Sequence, residues 1–289
     1  MKCDVAFVIR CDSEIREHGF ERIVVKTSHG PLERVFVGRV HGVDVAVVYG
    51  RHEATRVPSG MINYAKIQEA INKLAVRVIV GSFITGSIHQ AARRGVLYVP
   101  HDLVGVGGGN KQTLYGSGGF HNIDALELFC PRTRRALLRA ATEQSIDLRD
   151  RAVYACFHDY PRFETAAELA LYESLGFDIV GQTMDPEATL ARESACCYAG
   201  ICVTIDDIEI RQRKARGDHA FCDAEIRRCI DSGRTDMARV MFAALPFIKA
   251  EILDARPECP CRTEIHHPGP EWIMRSLPTF EVPFRGVVE

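Results

Sequence analysis

Short apolar runs recur along the chain and alternate with stretches whose apolar positions follow a helical period. The run at residues 4–9 predicts a first strand almost at the N-terminus. Residues 34–40 and 43–48 flank His41-Gly42, a two-residue connection that predicts a β-hairpin. Residues 61–75 place Ile62, Ala65, Ile67, Ile71 and Leu74 near one helical face. Strands follow at residues 76–80, 96–100 and 153–157. Residues 131–145 read as a helix opened by proline, residues 164–175 as a helix stopped by Gly176, and residues 220–253 as a long helical region.

The chain is organised around residues 177–207. An apolar run at 177–180 breaks into Gly181-Gln182-Thr183. Asp185-Pro186-Glu187 then predicts a helix start, with Asp as N-cap and Pro at the first helical position. A second apolar run at 197–205 is closed by Asp206 and Asp207. Strand, polar elbow, helix, strand and acid is how an open α/β sheet builds a pocket at the carboxyl ends of its strands. On pattern alone, an ordinary βαβ unit with solvated ends is the alternative.

Composition narrows the class. A chain of 289 residues holds one large α/β domain or two small ones, and no linker divides it. We expect one domain over residues 1–255 and a Pro-rich surface tail over 256–289. The net charge of −2 recommends neither nucleic acid nor an anionic membrane as a partner. No apolar run approaches the roughly 20 residues needed to span a bilayer. The first residues lack the apolar core of a signal peptide, so a cytoplasmic location is expected.

Most of the 11 cysteines lie inside apolar runs, where they behave as small hydrophobes. Cys259-Pro260-Cys261 stands apart. Its one-residue spacing is unlike that of zinc sites, and no second cysteine pair answers it, although His266 and His267 follow. A local, easily reduced disulfide is the expectation and a structural zinc the alternative. Residues 105–121, GVGGGNKQTLYGSGGFH, fit no G-x-G-x-x-G between strand and helix and read as a lid or subunit-contact loop.

Several short motifs occur together in order: Arg51-His52, Pro58-Ser59 with Asn63-Tyr64, Phe129-Cys130-Pro131, Pro161-Arg162-Phe163 with Glu168, and Pro186-Glu187 to Ala191 with Glu193. In this order they resemble the trimeric purine nucleoside phosphorylases, most of all their 5'-methylthioadenosine phosphorylase branch. The similarity runs over residues 4–253, and the Cys259-Pro260-Cys261 tail resembles the CxC tails of some microbial members. The resemblance implies a single three-layer α/β/α domain around a mixed, partly barrel-like sheet. It also implies a homotrimer, or a dimer of trimers, whose site takes a residue from the neighbouring subunit.

The implied reaction is phosphorolysis of a purine nucleoside, with inorganic phosphate as co-substrate and no cofactor or metal. Negative charge builds on the departing purine, so the site needs an acid beside the base and cations or dipoles around the phosphate. By resemblance, Asp206 is the catalytic carboxyl at purine N7; the ordinary alternative for it is a helix N-cap. Arg51, His52, Thr183 and Ser13 are the implied phosphate ligands. Gln182, Gly181, Phe163 and His121 are implied to meet the nucleoside, with Asp207 in place of Asp206 if the register slips by one.

Departures from the family pattern fall on the phosphate side. The glycine loop that normally follows the first strand reads Ile9-Arg10-Cys11-Asp12-Ser13 here, with a carboxylate where a dianion would sit. Ser82-Phe83-Ile84 stands where the family has Thr-Thr-Ala, and Gly181-Gln182-Thr183 where it has Asn-Met-Thr. A hydrolase or a homologue with an altered acceptor is therefore kept as the alternative, and a non-catalytic nucleoside-binding subunit as a second.

Overall fold

The protein is described by a computed structural model covering residues 1–9, 11–50, 58–88, 93–107, 112–114, 123–157 and 162–263. Among these residues, eleven strands join in one mixed sheet. The hairpin forms as expected: β3 (Leu32–Val40) and β4 (Val43–Val48) pair antiparallel around His41 and Gly42. Both turn residues have positive φ, at 51° and 72°, the primed geometry that matches strand twist. The short β2 (Glu21–Val25), absent from the sequence reading, extends the hairpin at the sheet edge.

β1 (Val5–Val8) lies parallel between β4 and β5 (Val78–Ser87), buried on both faces. β5 is the branch point of the sheet. The sequence ends this strand at residue 80, yet Gly81–Ser87 continues it, because β11 (Cys197–Asp206) pairs along its length and β10 (Ile179–Gly181) meets its last residues. On the far side of β10 follow β9 (Val153–Phe157) and β7 (Asp102–Val106), while β6 (Leu97–Tyr98) and β8 (Leu148–Arg149) pair beyond β11. Branching at β5 gives the sheet its partly barrel-like curl.

Helices cover both faces. α2 (Tyr64–Lys73) is capped by the Asn63 side chain, which accepts from Lys66 N–H, and α5 (Glu187–Glu193) lies beside it. α3 (Pro131–Glu143) and the long α7 (His219–Ala243) pack together on the other face. α4 (Ala166–Ser174) begins with a reciprocal capping box between Thr165 and Glu168. Asp185 is not the cap of α5: Pro186 holds that position, and the Asp185 carboxylate accepts from the Thr189 hydroxyl instead. α1 (Asp12–Glu17) stands where the family's glycine loop was expected, and α6 (Ile208–Ala215) follows β11 directly. After α8 (Leu245–Ile248), a π-helical turn at Lys249–Leu253 leads to α9 (Pro260–Thr263).

Two sequence expectations change here. The start of the expected surface tail is part of the core, with Cys259 and Cys261 both buried. Nor is that pair a disulfide: all eleven cysteines are thiols.

Candidate active site

The site is built where β5 parts from β10 and β11. Gly86 of β5 has Val180 of β10 opposite it on one side and Asp206 of β11 on the other. A Cβ at Gly86 would lie 2.9 Å from the Asp206 carboxylate and 3.4 Å from Val180, so only glycine leaves that carboxylate where it is. An irregularity in the β11 ladder between Thr204 and Asp206 turns the strand end here. Gly181 has the same kind of reason, since the Tyr154 hydroxyl occupies the place of its missing Cβ.

Asp206 is half-buried. Its carboxylate accepts from Arg211 on α6 at 2.9 Å, and Arg211 also donates to the Ser87 carbonyl. Burial pushes the carboxyl's pKa above its ordinary value of 3.8 and outweighs the pull of the guanidinium in the other direction. Glu164 shares the environment: burial raises its pKa too, and the negative charge of Asp206 adds to the rise. Two carboxyls with raised pKa beside one arginine mark this strand end as a candidate for proton chemistry.

Asp207, one residue on, has different work. Its side chain accepts from Ile210 N–H as the N-cap of α6, and both its oxygens take the Arg94 guanidinium, at 2.9 and 2.8 Å. Arg94 also reaches Glu209 at 2.9 Å and Glu225 at 3.4 Å. The helix-cap alternative weighed for Asp206 therefore belongs to Asp207, and Asp206 is the carboxylate on the Gly86 side.

The elbow after β10 draws distant motifs together. Gln182 accepts from the Ser59 hydroxyl at 2.7 Å and donates to the Arg162 carbonyl at 3.1 Å. Arg162 in turn makes a two-pronged pair with Glu168, 2.7 Å on each side, and lies over the Phe157 ring. Phe163 is 82% exposed beside this brace. Thr183 follows Gln182, half-buried. Three motifs far apart in sequence thus meet at one polar junction.

Ser13 is placed elsewhere. It sits on α1, donates to Glu14, and lines a cavity of about 410 Å³ with Arg16 and, from α7, Asp231, Arg234 and Thr235. Asp12 accepts from the Tyr49 hydroxyl at 3.0 Å. Another cleft, of about 460 Å³, opens between residues 60–65 and Gln112 with Thr113; Asp206 lines neither cavity. Arg51, His52, His121, His266 and His267 lie outside the described residues. Of the Gly-rich stretch, residues 112–114 are tied down: Gln112 bridges the Ala65 N–H and the Ile62 carbonyl, and Glu193 accepts from Thr113 and from Leu114 N–H.

Gly86, Glu164 and Arg211 carry the geometry around Asp206 and were missed from sequence. Only Arg211, one helical turn and a residue beyond an acid at a helix start, left a local signal.

A sequence profile described as "Phosphorylase superfamily" matches residues 7–246. The chain belongs to this family. A probable S-methyl-5'-thioinosine phosphorylase of Methanothermobacter thermautotrophicus is 31% identical over 237 residues, covering 82% of this chain and 78% of that one. A 6-oxopurine nucleoside phosphorylase of Pyrococcus furiosus is 29% identical over 234 residues, covering 78% and 86%. Among solved structures, a methylthioadenosine phosphorylase from an antarctic soil metagenomic library superposes with a TM-score of 0.76 at 22% identity, covering 91% of each chain. The phosphorylase family and the mixed-sheet α/β fold expected from the resemblance both hold.

Proposed function

We propose that this chain cleaves the N-glycosidic bond of a purine nucleoside by phosphorolysis, releasing free base and sugar 1-phosphate for purine and methylthio-nucleoside salvage. The observation that carries this reading is the Asp206 carboxyl, raised in pKa and held opposite Gly86 at the end of β11. A carboxyl that keeps its proton donates to N7 as negative charge builds on the leaving purine, which stabilises the transition state more than the bound substrate. Burial raises its pKa while Arg211 and Lys214 pull it down, and neither basic residue is asked to touch the substrate.

Gly181, Gln182 and Phe163 are assigned to the nucleoside, and Arg51, His52, Thr183 and Ser13 to the phosphate co-substrate, without a cofactor. Asp207 is kept on the nucleoside side only through its anchoring of α6. The relatives' names divide between a 6-oxopurine and a 5'-methylthio nucleoside, and both substrate classes fit a carboxyl that reads N7, an atom they share. We further assign self-association as a trimer or dimer of trimers, with His121 serving the neighbour's site, in the cytoplasm. Exposed Leu126, at 93%, and Phe163 suit a subunit contact. No helix among the described residues is long and apolar enough to cross a membrane. Light scattering tests the assembly: a particle of three or six times 32.2 kDa is expected, and a stable monomer contradicts it.

One observation favours hydrolysis as a second reading. Where a glycine loop would cradle phosphate, α1 instead presents Asp12 and a Ser13 hydroxyl turned to Glu14. Cleavage of inosine, 5'-methylthioinosine and 5'-methylthioadenosine, with and without phosphate, separates the two. Base release that saturates with phosphate and yields sugar 1-phosphate is expected. Free sugar at a phosphate-independent rate selects the hydrolase, and no cleavage of any nucleoside leaves the binding subunit.

A further inference from the structure

Cys130, Cys197, Cys259 and Cys261 come from three separate parts of the chain and meet in one place. Their sulfurs all lie within 4.8 Å of one another, and Cys130 and Cys259 are 3.6 Å apart. Cys130 is the N-cap residue of α3, Cys197 opens β11, and the last two flank Pro260 at the start of α9. The first two are 0% exposed, Cys259 1% and Cys261 6%. A zinc ion held by four thiolates at about 2.3 Å places its sulfurs roughly 3.8 Å apart at tetrahedral angles. The cluster has that size.

We propose that these four thiolates bind one structural zinc ion that fastens the C-terminal segment to the α3–β11 side of the core. On binding, each thiol gives up its proton to solvent and its sulfur lone pair to the metal, with no change of oxidation state. The surroundings suit the anionic centre that results. The first N–H groups of α3 point toward the Cys130 end of the cluster, where the helix dipole favours negative charge. Thr133, in the first turn of α3, is fully buried with its hydroxyl beside the Cys130 sulfur. A metal-bound thiolate would accept from it, as the second layer of such sites usually does.

Backbone contacts hold the ligands in register. Cys130 N–H donates to the Tyr198 carbonyl at 2.8 Å, Cys197 N–H to the Arg77 carbonyl at 3.0 Å, and Arg262 N–H to the Cys259 carbonyl at 2.9 Å. Arg132 donates to the Pro257 and Glu251 carbonyls, fixing the approach to Cys259. The site is closed: all four positions are protein sulfurs, which makes it structural rather than catalytic.

The decisive test is metal content. Full-length protein purified under reducing conditions, dialysed against zinc and then against metal-free buffer, should retain one zinc per chain by elemental analysis. Cobalt(II) in its place should give the charge-transfer and visible bands of a tetrahedral thiolate site. Cys259→Ser with Cys261→Ser should abolish retention and lower Tm by roughly 5–15 °C, the shift that losing a few kcal/mol produces in a chain of this size. The wild-type zinc measurement stands by itself, whether or not that variant folds. Failure of the reduced wild type to retain zinc overturns the proposal. So does zinc retained by the double variant, or a non-reducing peptide map in which any of the four is disulfide-bonded in protein made in a reducing cytosol.

Discussion

At its first residue β11 carries Cys197, fully buried among three other thiols; at its last it carries Asp206, half-exposed between Gly86 and Arg211. The two stand nine positions apart at opposite ends of this ten-residue strand, about 30 Å at ~3.3 Å per residue. The sulfur end lies at the starts of α3 and α9, and the four thiols that meet there are buried. The carboxyl end lies where β5 branches, and burial there disfavours the Asp206 anion and so lifts its pKa. The first eight residues of β11 are buried and the last two partly exposed, so its two ends stand in different surroundings. The lesson is that the same strand carries stability at its beginning and reactivity at its end, and the two should separate experimentally.

The largest effect expected is from Asp206→Asn. The amide still reaches N7 but delivers no proton, and kcat should fall roughly 10²–10⁴-fold with Tm little changed. Wild-type turnover in this variant would erase the distinction between the two ends. Next comes Gly86→Ala, whose added methyl would stand 2.9 Å from the Asp206 carboxylate and displace it. A loss on the order of 10²-fold in kcat is expected, the scale of a small misplacement of a reacting group. At the other end, the paired serine variant at Cys259 and Cys261 should keep its kcat at 25 °C while losing Tm; a matching fall in kcat would show the ends to be coupled. Smallest is the effect of Glu168→Gln, which weakens the brace on Arg162. KM should rise a few-fold with kcat held, as measured by steady-state kinetics.

pH sharpens the contrast further. Arg162 and the Thr165 N–H hold the Glu168 carboxyl down to about 2, below its ordinary 4.5. Its folded pKa is depressed, so the brace is complete above about 4.5 and is lost as pH falls through about 2. Asp206 has the opposite sign. Its folded pKa is raised, so the carboxyl favours the folded state below its unfolded value near 3.8 and loses that advantage as pH rises through its folded value. Hydrogen exchange of α4 at low pH checks the first, and acid-side Tm measurements in wild type and Asp206→Asn check the second.

Much of this frame is legible in the residues. The His41-Gly42 turn, the proline-opened α3 and the long apolar β11 are local patterns and appear where expected. Residues 81–87 are not, because Gly-Ser-Phe-Ile-Thr-Gly-Ser has loop composition and becomes strand only through β10 and β11. The choice between Asp206 and Asp207 rests on which one caps α6, a one-residue matter that composition does not resolve. Glu164 reaches Asp206 only through tertiary packing. Cys259 and Cys261 stand out as a local pair, but Cys130 and Cys197 escape for the same reason as Glu164, since they arrive singly from a helix start and a strand start.

The most direct test of the account is the pH dependence of kcat for purine nucleoside cleavage at saturating phosphate, in wild type and Asp206→Asn. If Asp206 supplies the proton, wild-type kcat falls as pH rises through an ionisation above the ordinary 3.8, and the variant is slow with that limb gone. A variant that keeps both the wild-type rate and the wild-type profile contradicts it.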